Sequence, residues 1–179
     1  MNRLIIITGD LATGKSTLAD NLSLSLNIPC FKKDVIKEKY CDEDGYSTRE
    51  ENRQLSLRAV NYMIDTFTRF ASLKQDLILE ANFRSGEMNT IKDIAEKEKI
   101  DVTCIVLRGD MELIYDRFMK RLPTRHPAHK SIGLDRGIEY FAAYVNEQRK
   151  EEIPFIPHII DVTNKDEKEV LQLALSFIK

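Results

Sequence analysis

Five short apolar runs punctuate the chain, at Leu4–Thr8, Ile28–Phe31, Leu77–Leu79, Val102–Leu107 and Ile156–Val162. Most are rich in β-branched residues and show little polar alternation. Strands covered on both faces read this way, because neither face of their sheet meets water. Ile28–Phe31 carries the weakest version of the pattern.

Between the runs the apolar positions recur at helical spacing. Leu18, Leu22 and Leu26 repeat every four residues, and Val60, Met63, Ile64, Phe67 and Phe70 make a broad stripe on a long central helix. Ser47 with Glu50, or Thr48 with Glu51, could close a capping box at that helix's start. Further stripes follow at Ile91, Ile94 and Ala95; at Ile114, Phe118 and Leu122; and at Ile138, Phe141, Ala142 and Val145. A final helix carries Val170, Leu171, Ala174 and Ile178, with Asn164 and Glu167 as its cap and partner. The alternation predicts a three-layer α/β fold around a five-stranded parallel sheet, as a single domain over 1–179. Two segments break the pattern: Tyr40–Thr48, acidic and glycine-containing, and Pro123–Arg136, rich in Arg and His and read as a loop without structure of its own.

Composition narrows the class. The 179 residues carry 27 Lys+Arg against 29 Asp+Glu, a net charge of −2, which disfavours a general polyanion binder but permits a local basic cleft. No run reaches membrane-spanning length, and Leu4–Ile7 is too short for a signal-peptide core. Cys30, Cys41 and Cys104 lack metal-like spacing and leave one thiol over in any disulfide scheme. Cys30 and Cys104 lie in apolar runs and read as buried free thiols, which fits a reducing cytoplasm.

Directly after the first run comes Gly9-Asp10-Leu11-Ala12-Thr13-Gly14-Lys15-Ser16-Thr17, and directly after that an amphipathic helix. Strand, glycine loop and helix in this order form a phosphate-binding loop, in which backbone N–H groups and a helix N-terminus face phosphate oxygens. Lys15 would reach the β- and γ-phosphates, and the Ser16 hydroxyl would ligate Mg²⁺. The motif predicts triphosphate binding and leaves the fate of the phosphate open.

Two classes compete for it, a nucleotide switch and a phosphotransferase. Asp42-Glu43-Asp44-Gly45 and Asn164-Lys165-Asp166-Glu167 superficially resemble guanine-nucleotide switch motifs. Asp42, however, follows the polar segment 37–41 instead of closing an apolar strand, and the base-reading acidic position holds Glu167. Transfer has more support. Asp34 closes the second run, and the C-terminal ends of parallel strands are where ligands bind. There it can accept the proton of an attacking hydroxyl, although it also suits the cap of a helix at Val35–Tyr40. Lys37 lies one turn further on. At the end of the third run stand Glu80, Asn82 and Arg84: Glu80 would hold Mg²⁺ through a bound water, and Asn82 and Arg84 would orient the acceptor. The plainer alternative is that these are polar residues closing a strand. Arg117, Arg121 and Arg125 recur every four residues and lead into Arg125-His126-Pro127-Ala128-His129-Lys130. Such a stripe is either a solvated basic face or a lid over about 117–136 whose arginines stabilise transferring phosphate and exclude water.

With these pieces in order, GDLATGKST, Lys33-Asp34-Val35-Ile36-Lys37, LEANFRSG at 79–86 and the Arg117/Arg121 helix before RHPAH, the chain resembles the small P-loop kinases of the adenylate-kinase-like group. More narrowly it resembles the "predicted kinase" branch that includes chloramphenicol phosphotransferase, zeta-toxin-like proteins and polynucleotide 5′-hydroxyl kinases. The resemblance implies an adenylate-kinase-like sheet with a short lid, ATP with Mg²⁺, transfer to a hydroxyl, Asp34 as base, and adenine near Arg117 and Thr163. Polynucleotide-kinase-like members carry an arginine where this chain has Lys37, and a lysine cannot make the planar bidentate grip. That difference and the pI of about 6.0 disfavour a nucleic-acid end as acceptor. The expected activity is therefore transfer to a small polar acceptor such as a metabolite, nucleoside or antibiotic. Lys15, Asp34, Arg121 and Arg125 would be its catalytic residues. A polynucleotide kinase and a regulatory ATPase without an acceptor are the alternatives, and the sequence gives no sign of oligomeric state.

Overall fold

In the computed structural model, which describes residues 2–129 and 133–178, five parallel strands form one sheet. They are β1 (Arg3–Gly9), β2 (Cys30–Lys32), β3 (Leu77–Glu80), β4 (Asp101–Arg108) and β5 (Pro157–Asp161), in the order β2-β3-β1-β4-β5. The helices are α1 (Lys15–Leu26), α2 (Lys33–Asp44), α3 (Arg49–Ser72), α4 (Ser85–Glu98), α5 (Met111–Arg121), α6 (Ile138–Gln148) and α7 (Glu167–Phe177).

The missing alternation in β1 has a direct cause. Leu4 and Ile6 face one layer, where Met63, Phe67 and Ala71 of α3 and Met88, Ile91 and Ala95 of α4 cover them. Ile5 and Ile7 face the other, under Leu18, Ala19 and Leu22 of α1 and Val170 and Ala174 of α7. Side chains alternate along a strand, so a strand with helices on both sides must be apolar at every position. A third cluster lies at the C-terminal end of the sheet, where Ile114 and Phe118 of α5 meet Phe141 and Val145 of α6 against Ala12. It seats the two helices beside the glycine loop.

Several boundaries differ from the sequence expectation. The second strand begins at Cys30 and runs to Lys32, because Ile28 is buried in the turn that leaves α1. The segment 40–48 is mostly helix: α2 continues to Asp44, with buried Cys41 as its core contact, and only 45–48 remain as a connection. Of the two capping boxes considered, Thr48 with Glu51 forms: the Thr48 hydroxyl accepts from the Glu51 N–H, and the Glu51 carboxylate accepts from the Thr48 N–H. The last helix is capped two residues later than expected, by Asp166 paired with Glu169. Asn164 lies in the preceding turn, where the Lys165 N–H donates to the Val162 carbonyl. Cys104 is buried, whereas Cys30 is only half-buried because β2 is an edge strand.

The segment 123–136 is not a structureless loop. Short 3₁₀ turns form at Leu122–Thr124, Pro127–His129 and Leu134–Arg136. Lys130, part of the basic run read from sequence, lies outside the described residues. Among the described residues, no helix is long and apolar enough to cross a membrane.

Gly9 fixes where the sheet ends. Its φ is +119°, and a Cβ there would sit 2.1 Å from the Leu107 carbonyl oxygen. Gly9→Ala should therefore destabilise the chain by at least about 2 kcal/mol, combining overpacking with a forbidden backbone conformation. Urea denaturation would measure it, and a wild-type midpoint would sink this account of the position.

Candidate active site

The loop after β1 holds its own lysine in readiness. The Lys15 ammonium is buried and donates to the carbonyls of Gly9 at 3.0 Å and Asp10 at 2.5 Å, while the Thr13 hydroxyl donates to the Asp10 carbonyl at 2.8 Å. Among the described residues, no acceptor takes the backbone N–H groups of Leu11 to Gly14. Ala12 at φ +58° and Gly14 at φ +87° give the loop its left-handed turns. This is a ring of free donors with a cation at its base, which suits a polyanion.

Glu80, at the end of β3, accepts from the Ser16 hydroxyl at 3.1 Å. Burial pushes the Lys15 pKa down and the Glu80 pKa up, even though each opposes the other's shift. Both groups thus lack compensation: the lysine suits an anion and the glutamate a cation. Phosphate at Lys15 with Mg²⁺ at Ser16 and Glu80 would meet both needs, so the residues present fit a nucleotide and its metal.

A cavity of about 430 Å³ opens beside this pair. Lys15, Ser16 and Glu80 line one part of it, and Asp34, at the start of α2, lines another. Asp34 is half-exposed and lies 3.5 Å from the Arg125 guanidinium. Burial opposes its ionisation, but the positive groups of His129, Arg125, Lys33 and Lys15 outweigh that and hold its carboxyl below the usual range. Arg121 and Arg125 enter the same cavity from the end of α5, and Arg125 also stacks over the Phe118 ring at 5.8 Å. Burial, reinforced by Arg125, lowers the Arg121 pKa, as expected for crowded cations without a bound anion.

Arg117 goes elsewhere. It lines a second cleft on the far side of the loop with Thr17, Val162 and Lys165. Thr163 does not line that cleft; its hydroxyl is engaged by the Asp161 carboxylate and the Asp110 N–H, on the outer side of β5. Asp10 contributes its backbone to the loop, but its carboxylate points away, into a bidentate pair with Arg149.

On the acceptor side, Asn82 and Arg84 line the main cavity. The Asn82 carbonyl oxygen is buried without a hydrogen-bond partner. Arg84 pairs with Glu151, whose carboxyl is pushed down to about 2 by hydrogen bonds from the Ser85 hydroxyl, Arg84 and the Ser85 N–H. Tyr144 of α6 also reaches the cavity, a residue the sequence offered only as one more position on an amphipathic helix.

The basic segment is docked. Lys37 and Asn52, both buried, donate to the Ala128 carbonyl at 3.1 and 3.0 Å. His129 meets Glu38 at 2.9 Å. The His126 Nδ1 accepts from the Ala128 N–H, so Nε2 carries the proton donated to Asp42. Lys37 is therefore engaged in holding 127–129 against α2 and α3, although it also borders the cavity.

No protein-family model matches the chain, and no curated protein matches it by sequence. Solved structures do. A "putative kinase" from Chloroflexus aurantiacus j-10-fl is 26% identical, with a TM-score of 0.77 over 99% of this chain and 98% of that one. A gluconokinase from Sinorhizobium meliloti 1021 is 14% identical (TM-score 0.61, covering 98% and 90%). Shikimate kinase from Aquifex aeolicus vf5 is 18% identical (TM-score 0.60, covering 97% and 94%). The chain thus has the fold of these small P-loop kinases, with the sheet order 2-3-1-4-5.

Asn52→Leu should release the docked segment, because it leaves a buried carbonyl with one donor fewer, at a cost of about 1–3 kcal/mol. Hydrogen exchange at the His129 amide should then quicken about tenfold or more. Unchanged protection would show that Lys37 alone suffices.

Proposed function

We propose that the protein is an ATP-dependent phosphotransferase that moves the γ-phosphate to a hydroxyl of a small polar acceptor. The observation that carries this reading is the single cavity lined by Lys15 and Ser16 of the phosphate loop, by Asp34, and by Arg121 and Arg125. Its volume is of the order that holds a small ligand. A switch needs the first group of residues; a carboxylate with two arginines across the same cavity is what transfer needs in addition.

Lys15 and the loop N–H groups would grip the phosphates, and Arg117 would border the base. Ser16 and Glu80 would hold Mg²⁺, which neutralises charge between the β- and γ-phosphates. Asp34 takes the acceptor's hydroxyl proton as its oxygen forms the new bond to phosphorus and the bond to the ADP oxygen breaks. Arg121 and Arg125 stabilise the charge spread over the transferring group. Asn82, Arg84 and Tyr144 border the space left for the acceptor. The likeness to sugar-acid and shikimate kinases in fold supports a small acceptor over a nucleic-acid end.

The direct test is labelled ATP with a panel of hydroxyl compounds. Lys15→Ala should abolish transfer, and Asp34→Asn should lower kcat by about 10²–10⁴-fold with ATP binding retained. Transfer unchanged in Asp34→Asn removes it as the base; hydrolysis without transfer across the panel favours a regulatory ATPase.

The pH profile separates two candidate bases. Asp34 is held below the ordinary carboxylate range, so it stays ionised as pH falls and the acid limb of kcat/KM should lie below about pH 4. A limb well above the carboxylate range would point instead to His129, whose pKa burial lowers from the ordinary imidazole value.

A further inference from the structure

Asp10 is an odd residue for a phosphate loop, since its side chain adds negative charge close to where an anion should bind. The structure turns that carboxylate to the back of the loop, where only 2% of the side chain remains exposed. There it is met on both oxygens by one guanidinium: Arg149 Nε donates to Oδ1 at 3.1 Å and Nη2 to Oδ2 at 2.6 Å. The Gly109 N–H adds a third bond to Oδ2 at 3.2 Å, and Arg149 Nη2 also donates to the Gly109 carbonyl at 3.1 Å. Arg149 does not line the main cavity. It closes α6 and borders two other hollows behind the loop.

We infer that Arg149 is the positioning residue of the phosphate loop, acting on bound triphosphate only through Asp10. The chain of contacts is short. The Asp10 carbonyl is one of the two that hold the Lys15 ammonium, and it also accepts from the Thr13 hydroxyl. A bidentate pair fixes the Asp10 side chain in both distance and orientation, and so fixes the peptide on which Lys15 rests. Without Arg149 the buried carboxylate keeps a single N–H partner. An uncompensated buried charge is expensive enough to turn the loop outward. The loop would then carry its carbonyls, and Lys15, away from the phosphates. The tie also connects two parts of the site, since α6 packs through Phe141 on Phe118 of the arginine-bearing α5, with ring centroids 5.2 Å apart.

The inference rests on the nucleotide-binding half of the proposed function and needs no acceptor, so it can be tested by binding alone. MgATP would be titrated calorimetrically into the wild-type chain and into Arg149→Met, Arg149→Lys, Asp10→Asn and Asp10→Asn with Arg149→Met, all well below their melting transitions. Arg149→Met should weaken MgATP about tenfold or more, and Arg149→Lys should fall nearly as far, because a point charge cannot span both oxygens. The double variant should be no weaker than Arg149→Met, since the two residues act as one unit. Should Arg149→Met fail to fold, Arg149→Lys keeps a cation beside the buried carboxylate and carries the test. A dissociation constant within about twofold of wild type in folded Arg149→Lys, whatever its melting temperature, assigns Arg149 a purely structural role and overturns the inference. A wild-type chain that fails to bind MgATP overturns the proposed function and this inference together.

Discussion

A lysine ammonium buried at the end of an apolar strand needs compensation, and the site is organised around supplying it. The glycine loop after β1 brings Lys15 to the C-terminal edge of the sheet, and the carbonyls of Gly9 and Asp10 accept hydrogen bonds from its ammonium. They stand where they do because Gly9 passes against the Leu107 backbone at a distance no side chain permits. Dipoles hold a buried cation only partially, and Lys15 keeps a lowered pKa. Glu80 is strained in the opposite sense across the Ser16 hydroxyl. The magnesium-bound nucleotide proposed for the site would relieve both at once.

The same electrostatic logic arranges the far wall. Asp34 stays ionised because His129, Arg125, Lys33 and Lys15 face it, contributed by the docked turn 127–129, the chain just after the Leu122–Thr124 turn, α2 and α1. His129 is in place because Ala128 is held by Lys37 and Asn52, and because His126 and His129 pair with acids of α2. The basic segment is thus part of the wall that tunes the carboxylate. Arg121 reaches the cavity from the last turn of a helix that the third core cluster presses beside the loop, and Arg125 from just after the following 3₁₀ turn.

Much of this was legible in the residues. The apolar runs located five strands, and strand–glycine–lysine–helix order located the phosphate loop, because that motif is contiguous and its chemistry is local. Asp34 and Glu80 were proposed from one rule, that polar residues ending parallel strands gather at one edge of the sheet, and the arginines from their recurrence every four residues. Boundaries were less legible. α2 overran a segment that composition marked as loop, since the burial of Cys41 counts for more than exposed acids around it. The cap of α7 moved from Asn164 to Asp166 because both carry cap-competent side chains and only the path of the chain after β5 chooses between them.

The sequence by itself therefore determined the class of the fold and the place of the glycine loop with its lysine, both properties of nearest neighbours and simple period. Tertiary structure decided how residues far apart in the chain share work. It sent Arg121 and Arg117, one helical turn apart, into different clefts, and it turned Lys37 from a residue expected at the acceptor into an anchor for Ala128. It also paired Asp10 with Arg149, 139 positions away. No spacing rule encodes such a pair: a buried charge must find its partner wherever packing brings one, and packing is a property of the whole chain.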